Sequence, residues 1–284
     1  MNVLIVGRTS MVSRALAARL HGLYRVHFAA RKDAEIHFDL FAPELSIDDV
    51  DTKYHAVVHC AADFGGTGDL DLVRAEQANS VGAINVCRLA HAVGAKHLTL
   101  ISSLFATYGP GDPFFGSYAL SKRHAEENAK LFCDMRNISL AIIRPSQLYD
   151  KLGASRKHQP FFWHIVDLAR LGRDITLFGS QDARRNFLNV DDLAEILFRV
   201  ITRQTTGSFI AAHPSSTTLS ELALAAFNVF SASGCKVLFD LGKADMQDLP
   251  PIVDFSLYDL LGYEPATDLV DGLAQIKNFV QRAL

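Results

Sequence analysis

The chain has 284 residues, of which 49% are hydrophobic and 21% are charged, which is enough apolar material for a large buried core. Its formal net charge of −3 gives no electrostatic reason to expect binding to nucleic acid or to an anionic membrane. No apolar run reaches membrane-spanning length, and the four scattered cysteines form neither a metal-binding spacing nor a C-x-x-C pair. We therefore expect a cytoplasmic protein with reduced thiols, without a signal peptide and without a metal site.

Short apolar runs alternate with segments of helical periodicity through the first half of the chain. The runs at residues 3–6, 24–29, 56–60, 97–102 and 139–143 are typical of buried parallel strands. Residues 11–20, 70–93 and 118–136 are typical of the helices between them. This alternation predicts an α/β fold with a doubly wound parallel sheet of the Rossmann type, in which ligands bind at the carboxyl ends of the strands.

The pattern changes after Pro145. Helices are predicted at residues 161–171, 191–203, 219–231 and 269–282, with extended segments at 175–178 and 208–212. We expect residues 1–150 to form a dinucleotide-binding domain, to which residues from about 187 to 212 return. Residues 151–284 are expected to form mainly a smaller substrate-binding lobe.

The first predicted strand ends in a turn that opens a helix, with the sequence Gly7-Arg8-Thr9-Ser10-Met11-Val12. A strand, a tight glycine turn and a helix N-terminus together form a site for the pyrophosphate of a dinucleotide.

A tyrosine and a lysine stand four residues apart in the predicted helix 118–136. At that spacing the phenol of Tyr118 and the ammonium of Lys122 lie on one face of the helix. Because a neighbouring cation favours the phenolate, we expect Lys122 to lower the pKa of Tyr118 from its ordinary value near ~10. The pair could then exchange a proton with a substrate oxygen.

These motifs, with the strand end Ser102-Ser103, resemble the extended short-chain dehydrogenase/reductase family, which includes nucleotide-sugar epimerases, dehydratases and reductases. The resemblance covers nearly the whole chain and implies catalytic roles for Ser103, Tyr118 and Lys122. The family loop G-x-x-G-x-x-G keeps only its first glycine here, because serines fill the other two glycine positions. The family spacing from the catalytic hydroxyl to the following Tyr-Gly pair would fall on Leu104. Ser103 is therefore assigned with a register shift of one residue, and Thr107 is the second candidate.

The resemblance also implies which residues surround the cofactor. They are Gly7, Arg8, Thr9, Ser10, Met11, Val12, Arg31, Asp39, Leu40, Cys60, Ala61, Ala62, Ser102, Tyr118, Lys122, Pro145, Ser146 and Leu148. At the end of the second strand, Ala30 stands where NAD-dependent members carry an acidic residue, and Arg31 follows it. Because a guanidinium suits a 2′-phosphate, we expect NADP(H) to be preferred over NAD(H), with Arg8 as a second contact.

The resemblance further indicates the substrate and the reaction. Arg185 matches an arginine that reaches a substrate diphosphate, so Arg185 and Ser103 are the predicted substrate-binding residues. Asn79 matches an asparagine near the family's catalytic centre. Leu104 and Phe105 occupy the place of the Asp-Glu pair of dehydratases, which argues against dehydration.

We therefore expect an NADP(H)-dependent oxidoreductase, a homodimer, that transfers hydride to the keto carbon of a nucleotide-linked sugar. Three alternatives stay open: an NAD-dependent nucleotide-sugar 4-epimerase, a reductase of a non-sugar carbonyl, and a non-catalytic dinucleotide-binding sensor protein.

Overall fold

The computed structural model describes residues 1–42 and 52–282. The strands, in chain order, are β1 (Asn2–Val6), β2 (Arg25–Ala30), β3 (Ile36–His37), β4 (Ala56–His59), β5 (His97–Ile101), β6 (Ser139–Pro145), β7 (Gln147–Tyr149), β8 (Ile175–Phe178), β9 (Arg184–Arg185), β10 (Phe187–Asn189), β11 (Gly207–Ala211), β12 (Thr217–Thr218) and β13 (Val237–Asp240). The helices are α1 (Met11–Leu20), α2 (Asp69–Ala75), a π-helix (Glu76–Val81), α3 (Gly82–Ala92), a 3₁₀ helix (Leu104–Thr107), α4 (Ser117–Arg136), α5 (Pro160–Arg170), α6 (Val190–Arg203), α7 (Leu219–Phe230), α8 (Ser256–Leu261) and α9 (Leu269–Arg282). Among them, no helix combines the length and the apolar character that crossing a membrane requires.

The chain divides into two compact units. The first contains Met1–Pro145, Leu193–Ala211 and Ser256–Gly262, and the second contains Ser146–Asp192, Ala212–Phe255 and Tyr263–Leu284. The chain therefore leaves the first unit after Pro145 and returns to it twice.

A seven-stranded sheet forms the centre of the first unit. Its strand order is β3–β2–β1–β4–β5–β6–β11, and every neighbouring pair is parallel. The chain winds outward in both directions from β1 and β4, so the switch point at which doubly wound sheets bind ligands lies between these two strands. The fold class predicted from the sequence is confirmed.

The apolar runs of the first half are buried because helices cover the sheet. Alternate strand residues such as Leu4, Val57, Leu98 and Ile142 belong to one core cluster with side chains of α3 and α4, including Val86, Leu89, Ala125 and Ala129. Small residues on the two helices let them approach the sheet closely. This packing fixes α4, which carries Tyr118, against the strands.

The predicted continuous helix over residues 70–93 is wrong in one respect, because the π-helix divides α2 from α3. A π turn inserts one extra residue and is frequent at functional sites. Here it lies at Asn79, whose side chain makes hydrogen bonds to residues distant in the sequence, described below.

The second unit is built from helices and three small sheets. Strands β7 and β10 pair in parallel, β8 and β13 pair in parallel, and β9 and β12 are antiparallel. Its core is richer in aromatic rings than that of the first unit and includes Tyr149, Phe162, Trp163, Phe187 and Phe227. Of these strands only β8 is predicted from the sequence.

Candidate active site

The turn between β1 and α1 is shaped by one obligatory glycine. Gly7 has φ +100°, and a Cβ there would lie 2.7 Å from the amide nitrogen of Ala61. Both observations exclude any residue with a side chain at this position. Gly7 and Ala61 follow β1 and β4, so the turn lies at the switch point of the sheet.

The two serines that replace family glycines are accommodated without strain. Ser10 has extended backbone angles and caps α1, because its Oγ accepts a hydrogen bond of 3.2 Å from the amide of Val12. Ser13 is fully buried, and its Oγ donates to the carbonyl of Gly7 at 2.7 Å. The loop therefore needs glycine only at Gly7, and the amides of the α1 N-terminus can still face an anion.

Two cationic side chains stand at the carboxyl ends of β1 and β2. Arg8 donates to the carbonyl oxygen of Asp33, and its guanidinium lies 5.3 Å from the centroid of the Phe28 ring. Arg31 is exposed directly after β2. Thr9 is exposed and Met11 is partly buried, and both lie in the same turn.

Two further predicted cofactor residues lie after β3. The carboxylate of Asp39 accepts a hydrogen bond from the amide of Phe41 at 3.1 Å. Leu40 packs on the first core cluster, and its Cδ2 would be 3.3 Å from a Cβ at Gly82. Asp39 and Leu40 thus both make local contacts next to the edge strand β3.

The carboxyl end of β4 carries buried groups that are kept neutral. Burial lowers the pKa of His59 to about 3, and the charge of Lys122 lowers it further. Burial raises the pKa of the Cys60 thiol to about 12, although a hydrogen bond with Ser13 and the charge of Lys122 oppose the rise. Ala61 is partly buried and Ala62 is exposed, so small side chains line the edge of the sheet here.

Ser103 is placed at the phenol of Tyr118. It has extended backbone angles at the end of β5, and its Oγ accepts a hydrogen bond of 3.2 Å from the amide of Phe105 as the 3₁₀ helix begins. The Ser103 side chain lies close enough to the Tyr118 phenol to favour the phenolate. Leu104 is buried, and the hydroxyl of Thr107 donates to the carbonyl of Leu104 at 2.8 Å. Of the two candidate hydroxyls, the one that meets Tyr118 belongs to Ser103.

Tyr118 and Lys122 lie one turn apart on α4, but their electrostatic relation differs from the sequence-based expectation. Burial raises the pKa of Tyr118 to about 12, and only the neighbouring Ser103 side chain opposes this rise. Lys122 is 2% exposed, its Nζ donates to the carbonyl of Ile101 at 2.8 Å, and burial lowers its pKa to about 8. Its Nζ lies 6.0 Å from the centroid of the Tyr118 ring. Loss of water around both groups therefore outweighs the attraction that was expected to lower the phenol pKa.

A buried ion pair lies beneath this pair of residues. The guanidinium of Arg144 donates to both carboxylate oxygens of Glu126, at 2.9 Å and 2.5 Å. The hydroxyl of Ser102 donates to the same carboxylate at 2.5 Å. The Glu126 charge in turn stabilises the charged form of Lys122. Ser102, predicted as a cofactor residue, is thus oriented toward the carboxylate of α4.

Asn79 joins the π-helix to the loop after β4 and to α4. Its Oδ1 accepts from the amide of Asp63 at 2.9 Å, and its Nδ2 donates to the carbonyl of Asp63 at 2.7 Å and to Ser121 Oγ at 2.9 Å. Through these three bonds the Asn79 side chain holds the backbone of Asp63 and the Ser121 side chain of α4 in fixed positions.

Sequence reasoning missed Phe64. Its ring stacks on that of Tyr118 with the centroids 5.0 Å apart and the planes 15° from parallel. A phenylalanine 54 residues before the tyrosine carries no local signal of this contact. The turn sequence Phe64-Gly65-Gly66 does indicate a tight bend at this position.

The remaining predicted residues follow β6 or lie in the second unit. Pro145 ends β6 in the first unit. In the second unit, Ser146 Oγ donates to Asn186 Oδ1 at 2.8 Å, and Leu148 pairs with Leu188 in the β7–β10 sheet. Arg185 is 7% exposed, and its Nη1 donates to the carbonyls of Arg184 at 2.7 Å and Gln247 at 2.5 Å.

Taken together, the first unit brings a phenol, a hydroxyl and a buried ammonium to the end of a parallel sheet whose switch point can hold a dinucleotide. Such a set can donate a proton to an oxygen or accept one from it. No group of three or more His, Cys, Asp or Glu side chains in residues 1–42 and 52–282 is arranged to hold a metal ion.

Comparison with known proteins decides the family. The model of the NAD dependent epimerase/dehydratase family matches residues 3–210. The chain belongs to this family. It is therefore an NAD(P)-dependent enzyme of the short-chain dehydrogenase/reductase type, which confirms the resemblance stated from its motifs.

Two curated proteins are similar in sequence. "Probable UDP-glucuronate 4-epimerase" of Rhizobium meliloti (strain 1021) is 29% identical over 156 residues, which are 51% of this chain and 45% of that protein. The chain thus matches less than half the length of this relative. CDP-abequose synthase of Salmonella typhimurium (strain LT2) is 21% identical over 248 residues, covering 84% of this chain and 80% of that protein.

A solved structure shares the fold. RMD from Pseudomonas aeruginosa, solved in complex with NADPH, superposes with a TM-score of 0.79 at 18% identity and covers 99% of each chain.

Proposed function

We propose that this enzyme uses NADPH to reduce the keto carbon of a nucleotide-linked sugar. The observation that carries the proposal is the proximity of the Ser103 side chain to the Tyr118 phenol, one helical turn from the buried ammonium of Lys122, whose Nζ lies 6.0 Å from the centroid of the Tyr118 ring. The nucleotide-linked substrate is inferred from the relatives, whose names contain UDP-glucuronate and CDP-abequose.

The residues around the switch point fit a dinucleotide. The Gly7 turn and the N-terminus of α1 would receive the pyrophosphate, because Gly7 brings the backbone close and the helix end presents amides. Cys60, Ala61 and Ala62 would lie along the cofactor. Ser102, Lys122 and Pro145 are assigned to its nicotinamide end. When bound, the nicotinamide supplies the hydride.

The preference for NADP(H) rests on charge at the ends of β1 and β2. Ala30 ends β2 where NAD-dependent members carry an acidic residue, and Arg31 follows it. Arg8 is held nearby by Asp33 and Phe28. The Glu35 carboxylate binds the amide of Phe28 at 2.7 Å instead. Two guanidinium groups suit a 2′-phosphate, which an acidic residue at the same position would repel.

Tyr118 would deliver the proton to the substrate oxygen, and Ser103 would donate a hydrogen bond that polarises the same oxygen. Lys122 would stabilise the phenolate that remains. Because burial lowers the pKa of Lys122 to about 8, Lys122 stabilises the phenolate most strongly below that pH and less above it, where the ammonium loses its proton. Dehydration driven by carboxylates is not proposed, since Leu104 and Phe105 follow Ser103.

Arg185 is assigned to the diphosphate of the substrate, since guanidinium groups bind such oxygens in a bidentate manner. A homodimer is proposed through the faces of α2, the π-helix and α4 that expose Leu70, Val73, Val81, Leu131 and Met135. A cytoplasmic location is inferred from the four cysteines, all of which are free.

The second candidate function is NAD-dependent 4-epimerisation, which the named activity of the Rhizobium meliloti relative favours. An epimerase retains and recycles its cofactor, whereas a reductase consumes it. The test is to measure the absorbance of bound cofactor in purified protein and the oxidation of NADPH with a panel of nucleoside-diphosphate 4-keto sugars. NADPH oxidation with exchangeable cofactor supports the reductase. Stoichiometric tightly bound NAD(H) without NADPH turnover would overturn it.

A further inference from the structure

The ring that covers Tyr118 is itself about half exposed. Phe64 lies parallel to the Tyr118 ring at a centroid distance of 5.0 Å, yet 46% of its surface remains accessible to water. An aromatic ring gains most by full burial, so a half-exposed ring stacked on a reactive phenol calls for another reason. The β4–α2 loop, defined here as residues 61–68, is built to hold it there.

On its N-terminal side, Phe64 is preceded by a residue that is fixed through both backbone and side chain. The amide of Asn79 bonds the N–H and the carbonyl of Asp63, at 2.9 Å and 2.7 Å. The Asp63 carboxylate accepts from the amide of Gly65 at 2.8 Å and pairs with Arg74 at 2.7 Å. Asp63 thereby anchors the loop to the π-helix and to α2.

On its C-terminal side, Phe64 is followed by two glycines that press against the first turn of α4. Gly65 has φ +66°, and a Cβ there would lie 2.3 Å from Ser117 Oγ. Ser117 Oγ accepts from the amide of Gly66 at 3.1 Å and donates to its carbonyl at 2.8 Å. Since Ser117 directly precedes Tyr118, the loop and the phenol are fastened to the same turn of helix.

We propose that Phe64 fixes the Tyr118 ring and offers its outer face as an apolar platform for the C–H face of the sugar ring on which Tyr118 acts. The first half follows from the anchored stack alone. The second half rests on the proposed function. A phenylalanine ring offers no hydrogen bond to sugar hydroxyls, so it selects the orientation that turns the C–H face of the sugar toward it. Phe64 is thus a positioning and specificity residue.

Three variants separate this role from simple packing. Phe64→Leu keeps apolar bulk but removes the aromatic face, Phe64→Tyr keeps the face, and Phe279→Leu replaces a phenylalanine of similar exposure (40%) on α9. In ligand-free protein, tyrosine ring NMR signals, assigned to Tyr118 through Tyr118→Phe, report the ring current of Phe64. We expect the Tyr118 signals to shift in Phe64→Leu and to stay near their wild-type positions in Phe64→Tyr and Phe279→Leu.

Kinetics with NADPH and a nucleoside-diphosphate 4-keto sugar test the platform. In Phe64→Leu we expect kcat/KM for the sugar to fall about tenfold, equivalent to about 1.4 kcal/mol, with the KM for NADPH unchanged. Phe64→Tyr should restore most of the loss. The proposal is overturned if Phe64→Leu matches wild type in both the NMR signals and kcat/KM, or if Phe64→Tyr is as impaired as Phe64→Leu. If the wild type turns over no nucleotide-linked sugar, both the proposed function and the contact of Phe64 with the sugar are wrong. The NMR result tests separately whether Phe64 fixes the Tyr118 ring.

Discussion

The two compact units use their buried charged side chains in different ways. In the first unit, Glu126 is bound by the side chains of Arg144 and Ser102, and Lys122 lies one turn away on the same helix. In the second unit, charged groups bind mainly backbone. The Asp150 carboxylate accepts from the amides of Leu152, Ala154 and Ser155.

Two further buried charges of the second unit also bind backbone. Asp192 accepts from the amides of Ala266 at 3.3 Å and Thr267 at 3.0 Å, and additionally from the Tyr263 hydroxyl at 2.8 Å. The Arg185 guanidinium donates to two carbonyls. In the first unit, side chains of the strands pair with side chains of α4 near the reactive tyrosine. In the second unit, the buried charged groups bind the backbone of loops. The first unit is therefore expected to hold the chemistry and the second to hold a substrate.

The largest expected effect is on the rate. Tyr118→Phe removes the proton donor and should lower kcat by roughly 10²–10⁴-fold while leaving the KM for NADPH nearly unchanged. Steady-state kinetics measure this. Tyr263→Phe, which removes a hydroxyl of the second unit, is the matched control and should cost about 1 kcal/mol of stability with little change in rate. Equal losses of rate in both variants would contradict the claim that the reactive groups lie in the first unit.

The next effect is on stability. Arg144→Met leaves the Glu126 carboxylate buried without its cation, and we expect the free energy of unfolding to fall by about 3–5 kcal/mol. Urea unfolding measures it. Lys151→Met breaks an exposed pair with Asp191 in the second unit and should cost less than about 1 kcal/mol. A small loss in Arg144→Met would mean that the buried pair does not stabilise the first unit.

A smaller effect is expected on substrate binding. Arg185→Lys keeps the charge but loses the planar donor set, so the KM for the nucleotide-linked sugar should rise by roughly ten- to a hundredfold with kcat little changed. Arg184→Lys replaces the exposed neighbour and serves as the control. An unchanged KM in Arg185→Lys would remove Arg185 from the proposed substrate site.

The last expected effect is on how the free energy of unfolding changes with pH. Burial lowers the pKa of His59 to about 3, so the folded state leaves it neutral where the unfolded chain binds a proton. Stability should therefore fall as the pH drops below the ordinary value near ~6.5, by up to about 1.4 kcal/mol for each pH unit. His59→Asn should reduce this slope in urea unfolding between about pH 6.5 and 4. An identical slope in wild type and variant would show that His59 takes up its proton in the folded state.

Periodicity predicts the sheet of the first unit, except for the two-residue edge strand β3, and most of its helices. Its strands are continuous apolar runs because both faces are covered, and α1 begins and ends where its pattern does. The π-helix could not be predicted, since the residues around Asn79 have ordinary helical character. What interrupts the helix is bonding from Asn79 to Asp63 and Ser121, which lie 16 and 42 residues away.

In the candidate site, too, local features are predictable from the sequence and long-range contacts are not. The Tyr118–Lys122 spacing and the Gly7 turn are local features that a sequence exposes directly. The contact of Phe64 with Tyr118 depends on how a loop folds back onto α4. The effect of burial on the two pKa values depends on packing that spacing does not reveal. In the second unit β9, β10 and β12 have only two or three residues, which is too short for a period to be seen.

Deuterium tracing tests the central claim, that the Tyr118 site delivers a hydride consumed from NADPH, most directly. The enzyme is incubated with NADPH deuterated at nicotinamide C4, on the face transferred, and with the nucleoside-diphosphate 4-keto sugar that it turns over. The sugar product is then analysed by mass spectrometry and NMR. The account predicts one deuterium per product molecule at the former carbonyl carbon, and loss of the reaction in Tyr118→Phe. A product without deuterium, formed while the cofactor stays bound and unconsumed, would contradict it.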